Sequence, residues 1–169
     1  MTIFEGLPDE ELVASYPILL AELKKRGIIH SRNIVGDLGE YLAIRHYNNT
    51  PGLPKLQAAP IGTQNVDALS RNGERYTVKS TTGNLTGVFY GLPPKGSEIL
   101  PDKKFEFLIV VVLNDDYSVK KMLELNWAQF LQHKKWHSRM AAWNISINKI
   151  LLKDAKSVFA GRAKPQSRP

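Results

Sequence analysis

The stretch NVDALSRNGERYTVKST, residues 65–81, decides the fold of this chain. It contains two short extended runs joined by Asn72-Gly73, and an Asn-Gly pair between such runs is a strong hairpin signal. The period of two in a β-strand places Thr77 and Lys79 on one face of the second run. The sequence therefore predicts a β-hairpin that carries polar side chains on one of its faces.

Two carboxylates are expected near this hairpin. Asp67 lies in the first run and shares the face of Lys79 if the hairpin register allows. The second acid lies upstream, in the segment GDLGEYL at residues 36–42. A helical turn of 100° per residue puts Gly39 in a stripe of small residues with Glu40 on its border. Glu40 is therefore expected to approach the edge of the sheet closely.

Two carboxylates and a lysine in this arrangement suit the hydrolysis of phosphodiester bonds. Magnesium prefers octahedral oxygen ligation and uses only one or two protein carboxylates, so Asp67 and Glu40 are sufficient. The ion lowers the pKa of its bound water and stabilises developing charge, while Lys79 orients or deprotonates the attacking water. The expected cofactor is therefore Mg²⁺, with Mn²⁺ as the alternative.

Three motifs in this order resemble the PD-(D/E)XK nuclease superfamily, which includes many restriction endonucleases and repair nucleases: the helical GDLGE, then Asp67, then Thr77-Val78-Lys79. The resemblance covers roughly residues 31–152 and implies a restriction-endonuclease-like core. It also implies a metal site whose ligands are Glu40, Asp67 and the main-chain carbonyl of Val78. In that superfamily the lysine of the last motif is catalytic, which implies the same role for Lys79.

Thr77 departs from the superfamily pattern because it stands where the motif carries an acid. A hydroxyl is a weak, neutral ligand for magnesium, so the site has one negative charge fewer than the usual set. Because Thr77 occupies the acid position of the motif, it is included among the candidate catalytic residues. The leading hypothesis is a metal-dependent DNA endonuclease. The alternatives are a catalytically silent DNA-binding or protein-interaction module on the same fold, and an RNA-directed nuclease.

Charge and composition favour a nucleic-acid partner. The chain has 23 lysines and arginines against 16 aspartates and glutamates, a formal net charge of +7. Such an excess in a small domain often indicates a polyanionic partner, with ordinary solubility charge as the alternative. The lack of cysteine excludes disulfide scaffolds, thiolate zinc sites and cysteine nucleophiles. The longest apolar run, residues 108–113, is far shorter than a membrane span, so we expect a cytoplasmic protein without membrane contacts.

Two segments are expected to contact DNA. Residues 81–102 are rich in glycine and proline and form a long irregular loop, which in a compact domain is usually functional. Residues 160–169 form a basic tail without large apolar side chains. The expected contacts are Asn84, Thr86 and Lys95 in the loop and Arg162 and Lys164 in the tail.

The chain is expected to form one domain with short appendages. The predicted parts are an N-terminal helical segment at residues 1–30, a nuclease-like core at 31–159 and the basic tail at 160–169. The fold class is α/β or α+β, with a central mixed, mostly antiparallel sheet flanked by helices. After that sheet, a helix capped by Asn126 and a last strand at residues 145–152 are predicted. The oligomeric state is not fixed by the sequence, and a homodimer stays open.

Overall fold

A mixed α+β architecture is seen in the computed structural model, which describes residues 3–160. Within that range the helices are α1 (Asp9–Lys25), α2 (Ile34–Asn49), α3 (Trp127–His133) and α4 (Lys149–Asp154). The strands are β1 (Leu56–Ala58), β2 (Ala68–Ser70), β3 (Arg75–Thr81), β4 (Phe107–Leu113), β5 (Val119–Asn126), β6 (Lys134–His137), β7 (Ala142–Ile145) and β8 (Lys156–Ala160). The predicted mixed class is therefore confirmed.

Six strands form the main sheet, in the order β1-β2-β3-β4-β5-β8. Neighbouring strands run antiparallel except for β3 and β4, which are parallel. The prediction of a mixed, mostly antiparallel sheet is thus confirmed. A parallel pair needs a long crossover connection, because the chain must return to the same end of the sheet. Residues 82–106 provide that connection, and they include the irregular loop expected at residues 81–102, except for Thr81, which ends β3.

Strand β4 lies at the centre of the hydrophobic core. Its side chains alternate between two clusters, and five of its residues from Leu108 to Val112 are 7% exposed or less. Ile109 and Val111 pack with Tyr47 of α2 and with Tyr76 and Val78 of β3. The opposite face of the sheet packs on α3 and α4. Because α2 covers the face of β3 that carries Tyr76 and Val78, the alternate residues of that strand lie on the other face.

Helix α1 stands outside both core clusters. None of its residues is buried, and Val13 and Ile18 are more than 70% exposed. The core begins at Ile29, which is 1% exposed, next to the boundary expected at residue 30. Within residues 3–160, no helix combines the length and the apolar character needed to cross a membrane.

The strand predicted at residues 145–152 is wrong. Ile145 ends β7, and the chain then turns into α4. The side chain of Asn148 accepts hydrogen bonds from the main-chain N–H groups of Ile150 and Leu151, both at 3.0 Å. This N-cap satisfies two otherwise unpaired donors and starts a helix within the apolar run for which a strand is predicted. The predicted α3 is confirmed, with Asn126 in a capping box with Gln129.

An ion pair fixes the start of β3 against the end of the crossover loop. The carboxylate of Glu106 accepts hydrogen bonds from the main-chain N–H of Arg75 at 2.7 Å and from its guanidinium at 2.9 and 3.0 Å. The guanidinium of Arg75 lowers the pKa of Glu106 to about 2. The pair therefore helps to hold the start of β3, the strand that carries the candidate site, against the end of the loop.

We expect the stability contributed by this pair to fall in acid. Because the pKa of Glu106 is depressed by folding, its stabilisation is complete above the unfolded value near 4.5 and is lost as the pH falls towards about 2. Glu106→Gln should therefore lower the free energy of unfolding at pH 7, and its difference from the wild type should shrink below pH 4.5. Urea unfolding of both proteins between pH 7 and pH 3 measures this. A difference that stays constant over that range would contradict the ion-pair account.

Candidate active site

The β2–β3 hairpin brings Asp67 and Thr77 together. Ala68 pairs with Tyr76 in the antiparallel register, which places Asp67 opposite Thr77. The main-chain N–H of Asp67 donates to the carbonyl of Tyr76 at 2.8 Å, and the hydroxyl of Thr77 donates to Asp67 Oδ2 at 3.1 Å. The expectation that Asp67 shares the face of Thr77 and Lys79 is therefore confirmed.

The carboxylate of Asp67 also lies at the edge of β3, beyond the point where β2 pairs with that strand. The N–H of Val78 donates to Asp67 Oδ2 at 2.6 Å, so a side chain takes the place of a neighbouring strand. In a strand, the N–H and C=O of one residue point towards the same edge. The carbonyl of Val78 therefore lies at the same open edge as the Asp67 carboxylate. Both hydrogen bonds go to Oδ2, which leaves Oδ1 as the oxygen for a further partner.

Helix α2 packs closely on one face of β3 because Gly39 has no side chain. A Cβ atom on Gly39 would lie 1.6 Å from Ser80 Oγ and 2.6 Å from Ser80 Cβ, so no larger residue fits there. Glu40 is the next residue of α2, so this close packing holds its main chain near β3. The close approach of α2 to the sheet at Gly39 is therefore confirmed, whereas the position of the Glu40 carboxylate at the sheet edge stays a prediction.

Glu40 lies in the electrostatic field of the hairpin residues. Burial raises its pKa to about 7, and the negative charges of Asp67 and Asp37 add to that shift, while Lys79 opposes it. The groups are therefore close enough to affect one another, although they come from α2 and from two strands. A cluster of carboxylates whose charges repel in this way is stabilised by a cation between them.

Lys79 is held by an aromatic ring on the side away from α2. Its Nζ atom lies 5.1 Å from the centroid of the Phe89 ring, within the range of a cation–π contact. Phe89 is 4% exposed and belongs to the crossover loop. The loop therefore supports the position of the candidate catalytic lysine.

The structure adds two residues that the sequence alone did not indicate as part of the site. The carboxylate of Asp37 accepts hydrogen bonds from the N–H groups of His30 and Ser31, at 2.7 and 2.5 Å, which fold the chain before α2 back onto the helix. Burial raises the pKa of Asp37, but these hydrogen bonds outweigh it and lower the pKa. His30 Nε2 is consequently placed 3.4 Å from Asp37 Oδ1 and 4.0 Å from Glu40 Oε2. No motif relates His30 to Glu40 in sequence, so only the fold reveals this contact.

The expected DNA contacts fall into three groups. Asn84 and Lys95 are exposed on the crossover loop. Thr86 is 5% exposed, and its hydroxyl accepts from the N–H of Ile145 at 3.0 Å and donates to the carbonyl of Gly87 at 2.8 Å. The expectation for Thr86 is therefore not supported, because its side chain anchors the loop to β7. Arg162 and Lys164 lie outside the described residues, as do all residues of the basic tail after Ala160.

The donors available to a metal ion are few. In the part of the chain that the structure describes, no group of three or more His, Cys, Asp or Glu side chains is arranged to hold a metal. The candidate oxygen donors are the carboxylate of Asp67 and the carbonyl of Val78 at the edge of β3, and the carboxylate of Glu40 on α2. This oxygen-only set fits Mg²⁺ or Mn²⁺, which keep several water ligands and take few from the protein.

Comparison with known proteins does not assign a family. No protein-family model matches the chain, and no curated protein matches its sequence. The function of the protein therefore has to be inferred from the chemistry of the site.

Proposed function

We propose that this protein is a metal-dependent DNA endonuclease with a PD-(D/E)XK-type core. The observation that carries the proposal is the position of the Asp67 carboxylate at the open edge of β3, bound to the N–H of Val78. Lys79 follows on the same strand, and Glu40 of α2 lies within the electrostatic influence of Asp67 and Lys79. The net charge of +7 supports a polyanionic substrate.

Glu40, Asp67 and the main-chain carbonyl of Val78 would hold the divalent cation. When bound, such an ion activates water and neutralises charge on the phosphate. The ammonium of Lys79 stabilises the negative charge that develops on the phosphate oxygens and orients the attacking water. His30, beside Glu40, adds a hydrogen-bonding group at the same edge. The site thus supplies both signs of charge that hydrolysis of a phosphodiester requires.

Thr77 has a positioning role in this scheme. It is 3% exposed, and its hydroxyl donates to the same Oδ2 atom that Val78 holds. Two donors on one oxygen, the hydroxyl of Thr77 and the N–H of Val78, fix the orientation of the carboxylate. Thr77 thereby presents Asp67 Oδ1 to the metal, although it contributes no charge of its own.

The missing acid at Thr77 is also the observation that favours a catalytically silent DNA-binding module on the same fold. Thr77→Glu distinguishes the two functions because it adds a third carboxylate beside Asp67. We expect the variant to bind Mn²⁺ more tightly than the wild type, and we expect the wild type to cut DNA slowly, faster with Mn²⁺ than with Mg²⁺. Calorimetric titration and plasmid nicking of both proteins measure this.

Thr77→Val is the matched control, since it keeps the shape of the side chain and removes the hydroxyl. It should bind metal no better than the wild type. If only the Glu variant binds metal and cuts, the natural protein is the silent module. If neither the wild type nor the Thr77→Glu variant binds metal or cuts DNA, the nuclease assignment fails.

The proposed activity is tested by incubating the pure protein with supercoiled plasmid and Mg²⁺, Mn²⁺ or EDTA. Nicked and linear plasmid should accumulate with either ion and not with EDTA. Parallel incubations with single-stranded RNA and with branched DNA separate a DNA endonuclease from an RNA-directed one. Cleavage of RNA alone, or no cleavage of any substrate, would contradict the proposal.

A further inference from the structure

A long acid-free stretch follows the main sheet. Residues 125–153 contain no aspartate or glutamate but five basic residues, which are Lys134, Lys135, Arg139, Lys149 and Lys153. The first acid after this stretch, Asp154, pairs with His133 at 2.7 Å. A local excess of basic side chains attracts polyanions.

Three of these basic residues lie on the β6–β7 hairpin, residues 134–145, which we call the ribbon. Its strands pair with each other from Lys134 and Ile145 to His137 and Ala142, and they form a two-stranded sheet apart from the main one. Residues 138–141 form an exposed tip. A two-stranded ribbon is one of the two protein elements that the major groove of B-DNA admits.

Side-chain contacts hold the ribbon in a defined conformation and attach it to the crossover loop. The rings of Trp136 and Trp143 pack edge to face with centroids 5.1 Å apart, and Lys134 Nζ lies 3.1 Å from the centroid of the Trp143 ring. The indole N–H of Trp143 donates to the carbonyl of Pro93 at 2.7 Å. A surface ordered in advance loses less conformational entropy when it binds a partner.

The base of the ribbon is connected to the candidate active site. The crossover loop runs antiparallel along β7, where Phe89 N–H donates to the carbonyl of Trp143 at 2.7 Å. The ring of the same Phe89 lies beneath Lys79 Nζ. One residue therefore contacts both the ribbon and the proposed catalytic lysine.

We propose that the ribbon is the element that docks double-stranded DNA and directs a phosphate towards Lys79. This inference rests on the proposed nuclease function and names the surface through which that function acts. The exposed side chains of Lys135 and Arg139 contact backbone phosphates, and the tip enters a groove. The ribbon is thus a DNA-binding surface in addition to Asn84 and Lys95 of the crossover loop.

The test compares a ribbon variant, Lys135→Ala/Arg139→Ala, with a control, Lys24→Ala/Arg71→Ala, which removes two exposed charges from α1 and from the β2–β3 turn. Binding of a fluorescent duplex is measured by anisotropy in EDTA at several salt concentrations. The ribbon variant should bind more weakly, and the slope of log K against log salt should fall by about 0.9 for each phosphate that the protein no longer neutralises. The control should keep the slope of the wild type.

Lys135→Glu on its own provides a second measure, because it reverses a charge on an exposed side chain without shortening it greatly. It should weaken binding more than the control does, and the melting temperatures of all variants should stay close to that of the wild type. A ribbon variant with the affinity and slope of the control would overturn the inference. In that case DNA binding and nicking by the wild type would leave the proposed function intact, whereas a wild type that neither binds nor cuts DNA would remove both.

Discussion

Lys79→Ala is expected to lower the rate of plasmid nicking by about 10²–10³-fold, the effect of removing one preorganised group that stabilises transition-state charge. Binding of metal and DNA should persist, because Lys79 is not among the proposed ligands. The melting temperature should change little, since the contact of Lys79 with Phe89 is a single cation–π pair, which contributes about 0.5–1 kcal/mol at exposed sites. Nicking rates, anisotropy and thermal melts of the same preparation measure these three properties.

Lys79→Arg is the matched control for that prediction. It keeps the positive charge but its guanidinium does not lose a proton, so it should retain the part of the rate that depends on charge alone. Full nicking activity in Lys79→Ala would show that the lysine is a surface residue without a role in the chemistry.

Gly39→Ala should have the largest effect on folding among the substitutions at the site. The added Cβ would meet Ser80 Oγ at 1.6 Å and Ser80 Cβ at 2.6 Å, so α2 must move away from β3. Overpacking of this kind costs about 1–3 kcal/mol, and the shift of α2 would move Glu40 relative to Asp67 and Lys79. We expect both a lower free energy of unfolding in urea and a loss of nicking.

Two further variants isolate the cause of that loss. Ser80→Gly removes both atoms that the new Cβ would meet, so Gly39→Ala/Ser80→Gly should recover much of the stability and nicking that Gly39→Ala forfeits. Gly87→Ala, where a Cβ meets no atom within 4 Å, should leave both properties near those of the wild type. Equal stability of Gly39→Ala and the wild type would contradict the proposed close packing.

Local chemistry explains which parts of the fold could be predicted from the sequence. Asn72-Gly73 fixes the turn, and the turn fixes the register that sets Asp67 opposite Thr77. The cap at Asn126 likewise marks the start of α3. Each of these features depends on residues that are close in sequence, where turn and cap preferences are strong.

The parts that the sequence did not predict depend on distant pairings. Thr86 looks like an exposed loop residue, yet its hydroxyl binds the N–H of Ile145, 59 residues away. His30 reaches Glu40 because Asp37 holds its main chain, and no spacing rule relates these three residues. Asn148 starts a helix in a run whose apolar spacing also suits a strand. In each case an interaction made only in the folded chain decides the role of the residue.

The central claim is that Glu40 and Asp67 hold one divalent cation beside bound DNA. The most direct measurement is a Mn²⁺ titration of the Lys79→Ala variant bound to a short DNA duplex, because this variant is expected to leave the duplex uncut. Free Mn²⁺ is followed by electron paramagnetic resonance, and a titration of the duplex alone gives the baseline. The account predicts one bound Mn²⁺ per chain above that baseline, and its loss when either Glu40→Gln or Asp67→Asn is added. Mn²⁺ binding that is absent from the start, or that survives both added substitutions, would contradict it.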